Sequence, residues 1–265
     1  IFGMAHIINL AQTAFYMLAA YGMYIFTRQI GLGVIESIVI TIVSVTVLGL
    51  LAYRFLINRI RQHIVAVLLI TIAIAMFFEQ LMLRIFGAHY LSTAYLISGY
   101  TEILGVRVLN QHLLTLGIVA VVIIIVWLLL AKTKLGIAIR ATAQDAEVAN
   151  LMGISVPRTL LITMGIATAL AAVAGIAVAP LWTIYPYMWT SPLMMVMVIV
   201  ILGGLGNIKG SFIGAFIIAL AEVLVVSLVP AGSFLKVVFA MLVMVIVLVV
   251  RPGGLFGVVF EEERL

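Results

Sequence analysis

Residues 113–131 read "LLTLGIVAVVIIIVWLLLA", a run with no charge and a single hydroxyl. A bilayer hydrocarbon core about 30 Å thick needs roughly 20 apolar residues of helix, and a run like this has no polar face to turn towards water. It reads as a transmembrane helix, and the same ruler extends outward from it. Spans are expected over residues 5–27, 34–53, 64–86, 113–131, 159–181 and 234–250. Between the last two lies "SPLMMVMVIVILGGLGNIKGSFIGAFIIALAEVLVVSLVP", residues 191–230, too long for one helix and cut by Gly203, Gly204, Gly206 and Gly210. That stretch predicts a short apolar segment, a glycine-rich break and then a full span.

Composition agrees. The chain is 66% hydrophobic and 9% charged over 265 residues, whereas a soluble domain is roughly 25% charged. So much apolar surface has no polar exterior to solvate it, which excludes a soluble globular protein. The expected fold is all-α, a polytopic transmembrane helical bundle forming a single transmembrane domain over residues 1–265. With no cysteine there is no disulfide framework and no thiolate metal site. The chain opens "IFGMAHIINL", already inside an apolar segment and without an initiator Met, so further residues are expected before Ile1.

The net charge of +5 is dispersed between apolar runs and forms no nucleic-acid patch. Its distribution gives an orientation, because Lys and Arg are retained on the cytoplasmic side. One set of alternate loops holds ten basic residues, among them Arg54, Arg59, Arg61, Lys132, Lys134, Arg140, Arg158, Lys209 and Arg251. The other set holds four: Arg28, Arg84, Arg107 and Lys236. The first set is expected in the cytoplasm. "WTIYPYMWTSP", residues 182–192, then lies outside, with the Trp and Tyr content of a membrane-interface belt.

Against this background the polar segment at residues 132–158 stands out. Thr142 and Asp145 both suit a helix start, and "TAQD" has the spacing of a capping box with Asp in place of Glu. Gly153 suits a left-handed helix end, and Pro157 suits the first turn of the next span. A helix of roughly ten residues is expected between them, marginal in water and so needing something to pack on it. Ala146, Ala149 and Gly153 offer a small, flat face for a partner, and Val148, Leu151 and Met152 offer an alternative face for lipid headgroups.

Motifs for chemistry are missing. "GGLGNIKGS" departs from the nucleotide-binding G-x-x-x-x-G-K-[ST] at Ile208 and Gly210. His6, His63, His89 and His112 lack metal spacing, and no G-x-S-x-G elbow occurs. Neither an enzyme nor a bound cofactor is expected. Gly206, Gly210 and Gly214 recur every fourth residue, a ridge for close helix packing, and the break at Gly203 and Gly204 is the kind of interrupted helix found at transporter sites. "GLGVIESIVITIV" from Gly31 echoes "GLGNIKGSFIGAF" from Gly204, as inverted repeats would.

Asn9, Gln12, Thr13 and Tyr16 recur at helical spacing as a polar stripe, which must face another helix or a water-filled route. A route lined this way would suit small neutral or zwitterionic solutes. Glu79, Arg84 and Glu222 are ionisable residues within spans and so functional candidates. Glu222 has no local partner, as the proton site of an ion-coupled carrier would require. Arg84 has Gln80 one turn below it.

"LGIAIRATAQDAEVANLMGISVPR", residues 135–158, resembles the cytoplasmic coupling loop of ABC importer permeases of the branched-chain amino acid transport family. "INLAQTAFYMLAAY" from Ile8, "LGGLGNIKGSFIGA" from Leu202 and "RPGGLFG" from Arg251 resemble further motifs of that family, in the expected order. The resemblance implies a permease of an importer for branched-chain or other small neutral amino acids, in a bacterial or archaeal plasma membrane. It implies a second permease subunit, two ATP-binding subunits that bind and hydrolyse ATP, and an external solute-binding protein. Arg140, Thr142, Asp145, Glu147, Ala149 and Gly153 would then couple to the ATPase. Family members usually carry His then Gly where this chain has Gln12 and Thr13, which leaves the substrate open. A permease for urea or short amides is the alternative.

Overall fold

A backbone surrounded by hydrocarbon must satisfy its own N–H and C=O groups, so apolar runs become helices. The structure, a computed structural model, describes residues 9–61, 63–103, 105–204, 207–229, 232–251 and 253–256. These form two compact units, one ending at Trp189 and one running from Thr190.

The first unit contains helices α1 (Gln12–Tyr24), α2 (Val34–Ala52), α3 (Ile64–Phe86), α4 (Asn110–Lys132), α5 (Lys134–Gln144), α6 (Ala146–Leu151) and α7 (Val156–Val178). Both α1 and α2 run on into π-helical turns, Ile25–Gln29 and Tyr53–Ile57. The second unit contains α8 (Thr190–Gly203), α9 (Ile208–Leu228) and α10 (Gly232–Val250). Among the described residues, five helices are long and apolar enough to cross a membrane: 34–60, 65–86, 110–132, 156–178 and 209–228. Helix α8 is the short apolar segment expected before the break. Of the first expected span, residues 5–8 lie outside the described residues.

Glycine sets how closely the helices of the first unit approach. A Cβ on Gly175 would strike the Tyr16 carbonyl oxygen, so α1 lies backbone to backbone against α7. A Cβ on Gly49 would come 2.5 Å from Thr168, and one on Gly165 would come 3.2 Å from Leu50, which sets α2 antiparallel to α7. The π turn after α2 also contacts α7. At the far end, Leu91 bridges Ile184, and Thr115 Oγ1 donates to the Ala177 carbonyl at 3.2 Å. Within this unit, residues 54–61 therefore share one end with residues 132–158, and residues 87–112 share the other with residues 182–189. This is the alternation that the count of basic residues requires.

One element lies beyond the expectations. The expected spans leave residues 87–112 only as a connection between them, yet Tyr100–Ile103 (β1) and Val106–Leu109 (β2) pair antiparallel, with Glu102 opposite Arg107. Gly105, at φ +80°, serves the turn between them. Gln111, fully buried, accepts from the Leu96 N–H at 2.9 Å and ties the preceding loop to α4.

Candidate functional site

The polar segment folds differently from the expectation for its caps. Thr142 is buried inside α5, and no capping box forms from it; Asp145 alone caps the second helix, its Oδ1 accepting from Glu147 N–H at 2.8 Å and Val148 N–H at 3.0 Å. The expected helix of about ten residues is instead two, α5 and the six-residue α6, broken at the extended backbone of Asp145. The physical reason is competition: a carboxylate that satisfies two orphan N–H groups stabilises a new helix start more than continuation would.

Gly153 does end the helix as expected, at φ +85°, with Ile154 N–H bonded back to the Ala149 carbonyl at 3.0 Å. Pro157 does sit in the first turn of α7. The small face does not survive as a unit. Ala149 is buried against the chain's own helices, whereas Ala146 and Gly153 are exposed. The outward face belongs to Leu151, 85% exposed, and Met152, 80% exposed, with Val148 beside them and Arg140 and Glu147 also exposed.

Helix α1 carries the polar stripe into the interior. Thr13 and Tyr16 are buried, and Gln12 is partly so. Asn9 makes a local turn, accepting from the Ala11 N–H at 3.1 Å, and its Nδ2 lies 3.4 Å from Gln12 Oε1 and 3.5 Å from Met164 Sδ. Thr13 Oγ1 donates to its own Leu10 carbonyl at 3.4 Å. The stripe thus faces protein, and the Gln12 Nε2 amide is buried without a partner among the described residues.

The in-span charges find neighbours that spacing alone does not show. Glu79, 7% exposed, accepts from Trp189 Nε1 at 2.6 Å and from Gln80 Nε2 at 3.2 Å. Gln80 thereby turns to Glu79 rather than to Arg84, which is exposed. Glu222 is not unpartnered as local spacing predicts, because Lys236 on α10 pairs with it at 3.1 Å. That ion pair removes the feature that favoured a proton site.

In the second unit, the break between α8 and α9 is held by the chain's last described residues. Asn207 caps α9 through Gly210 N–H at 3.0 Å and donates to the Phe256 carbonyl at 2.8 Å, while Leu255 N–H bonds the Leu202 carbonyl at 2.9 Å. A Cβ on Gly210 or Gly203 would collide with the other's backbone, and one on Gly214 would come 3.0 Å from Leu202. Gly204, at φ +97°, makes the turn, as Gly31 does before α2 at φ +76°. Gly206 lies outside the described residues. The glycines therefore both break the helix and pack its halves, and two motifs distant in sequence meet at one place.

The chain matches the family described as "Branched-chain amino acid transport system / permease component" over residues 1–248. The chain belongs to this family. It is 26% identical to the probable branched-chain amino acid transport permease protein LivH of Methanocaldococcus jannaschii, over 97% of this chain and 85% of that protein. To the high-affinity branched-chain amino acid transport system permease protein LivH of Escherichia coli it is 35% identical, over 47% of this chain and 40% of that protein. The BraD permease of Pseudomonas aeruginosa is 28% identical over 61% of this chain and 52% of its own length. No solved structure matches. The protein is thus an integral, multi-pass membrane permease component, related to proteins named as transport permeases.

Proposed function

We propose that the chain is the permease subunit of an ATP-driven importer for branched-chain or other small neutral amino acids, seated in a prokaryotic plasma membrane with residues 132–158 in the cytoplasm. The named relatives support the solute class. The exposed apolar tip of α6 supports the coupling, because Leu151 and Met152 stand at the end of a charged segment where a soluble partner can cover them. Asp145 and Gly153 hold the short helix rigid at its two ends, so that a push on the tip passes through buried Ala149 and Thr142 into α5 and α7. Arg140 and Glu147 supply charge around that contact. ATP belongs to separate ATPase subunits, with a second permease subunit and an external solute-binding protein completing the assembly. The partly buried stripe of Asn9, Gln12, Thr13 and Tyr16 offers hydrogen bonds without fixed charge, which suits a zwitterion with an aliphatic side chain.

Leu151→Glu tests this reading, since so exposed a residue contributes little to folding. The expected result is normal abundance in the membrane with ATP-dependent uptake reduced roughly tenfold or more, the loss expected from one apolar anchor of about 1.5–3 kcal/mol. Uptake at the unaltered rate would overturn the coupling role of α6.

A further inference from the structure

Helix α4 touches α7 at its outer end, through Thr115, and is joined to α5 at the other. Between these points a groove of about 130 Å³ runs along the first unit, walled by Val126, Leu129 and Leu130 of α4 and by Thr163 and Ala167 of α7, and floored by Ile139 of α5. For scale, an apolar cavity of about 150 Å³ accepts a benzene-sized guest. A Cβ on Gly136 would strike the Leu129 and Leu130 carbonyl oxygens, so α5 is drawn hard under the end of α4 and closes the groove below.

Thr163 is the one polar member of these walls. It is 6% exposed, and its hydroxyl is buried without a hydrogen-bond partner among the described residues. Helix geometry does not explain this. Thr159 and Thr168 on the same helix each donate to the carbonyl four residues back, at 3.1 and 2.8 Å, and Thr163 does not. A buried hydroxyl left unpaired is destabilising, so a guest with an oxygen acceptor above an apolar tail would relieve it.

Charge at the α5 end of the groove narrows the guest further. Leu129 stands one turn before the end of α4, about 5 Å from Lys132 along the axis, and Lys132 and Lys134 are both exposed. No described acidic side chain forms an ion pair with either. Hydrocarbon walls, a hydroxyl and two cations at the headgroup level match the ester oxygens, acyl chain and phosphate of a lipid. We infer that the α4–α7 groove is a binding site for an anionic phospholipid, its acyl chain along Ala167, its ester oxygen on Thr163 and its phosphate at Lys132 and Lys134. Placement in the inner leaflet rests on the orientation proposed above.

The test uses the full chain, folded and purified in mild detergent, with native mass spectrometry reading retained phosphatidylglycerol against phosphatidylcholine. The expected result is a preference for phosphatidylglycerol of about thirtyfold, the size that two interfacial cations supply. Lys132→Gln with Lys134→Gln should reduce that preference to near unity. Ala167→Phe should displace both lipids, and Thr163→Val, which keeps the shape without the hydroxyl, should weaken both while the helical melting profile is retained. Equal retention of the two lipids by the unaltered protein, or unaltered phosphatidylglycerol retention by Ala167→Phe, would overturn the site. Neither measurement depends on orientation, because detergent exposes both faces. Outside-only labelling of a cysteine placed at Ala143 would overturn the leaflet and the orientation beneath it without touching the site.

Discussion

Helices α1 and α4 are both apolar, yet ten of the thirteen residues of α1 are buried while α4 buries only Gln111, in its first turn. Hydrophobicity does not separate them, since lipid tails are as apolar as a leucine side chain and give helices no reason to associate. Size and shape do. Ala14, Ala19 and Ala20 on α1, with Gly175 facing it from α7, let backbones close to contact, where dispersion is strongest. The run of Val, Ile and Leu along α4 from Ile118 to Leu130 keeps neighbours at a distance and leaves its side chains to the acyl phase.

If that account holds, substitutions should sort by helix and not by residue class. Phe15→Ala should have the largest effect, because Phe15 is fully buried and packs against Phe78 with ring centroids 6.0 Å apart. A destabilisation of about 2–4 kcal/mol is expected, as the cavity cost persists in lipid even where the transfer cost shrinks. Denaturant unfolding in mixed micelles measures it, and a loss below about 1 kcal/mol would break the contrast. Gly175→Ala comes next, adding one methyl where the Tyr16 carbonyl and the Ala19 Cβ already stand. Overpacking of about 1–3 kcal/mol is expected, read as a lowered midpoint in the same titration. Smallest is Ile124→Ala on α4, which is lipid-facing and should shift stability by no more than about 0.5 kcal/mol. A shift comparable to that of Phe15→Ala would mean that α4 is covered in the assembled protein.

How much of this is open to a reader of the sequence follows from the same physics. Spans are legible, since their length and lack of charge are set by the bilayer, and the helix break is legible because Gly203 and Gly204 punctuate an apolar run. The ends of the polar segment are legible at Gly153 and Pro157 for a similar reason: each has one cheap conformation. Its interior is not, because Thr142 and Asp145 are both good caps and only the packing of Ile139 and Ala149 decides between them. Pairings across the fold are hidden altogether. Nothing near Glu79 in the sequence points to Trp189, 110 residues on, or near Glu222 to Lys236. The β1–β2 hairpin does leave a signal, Gly105 between two short β-forming runs, but the longer apolar runs on either side overshadow it.

Both α1 and α2 leave their spans through a π-helical turn of five residues, Ile25–Gln29 and Tyr53–Ile57. A π turn accommodates one residue more than an α turn, and each residue of an α-helix turns the axis by about 100°. An insertion at these exits would therefore be absorbed by local widening, leaving the buried faces of Tyr21 and Val45 in register while Arg28 and Arg54 rotate. Alignments that forbid gaps within helices would then misplace these arginines by a position. Length variation inside the last turn of each of these spans is compatible with an unchanged packed helix before it.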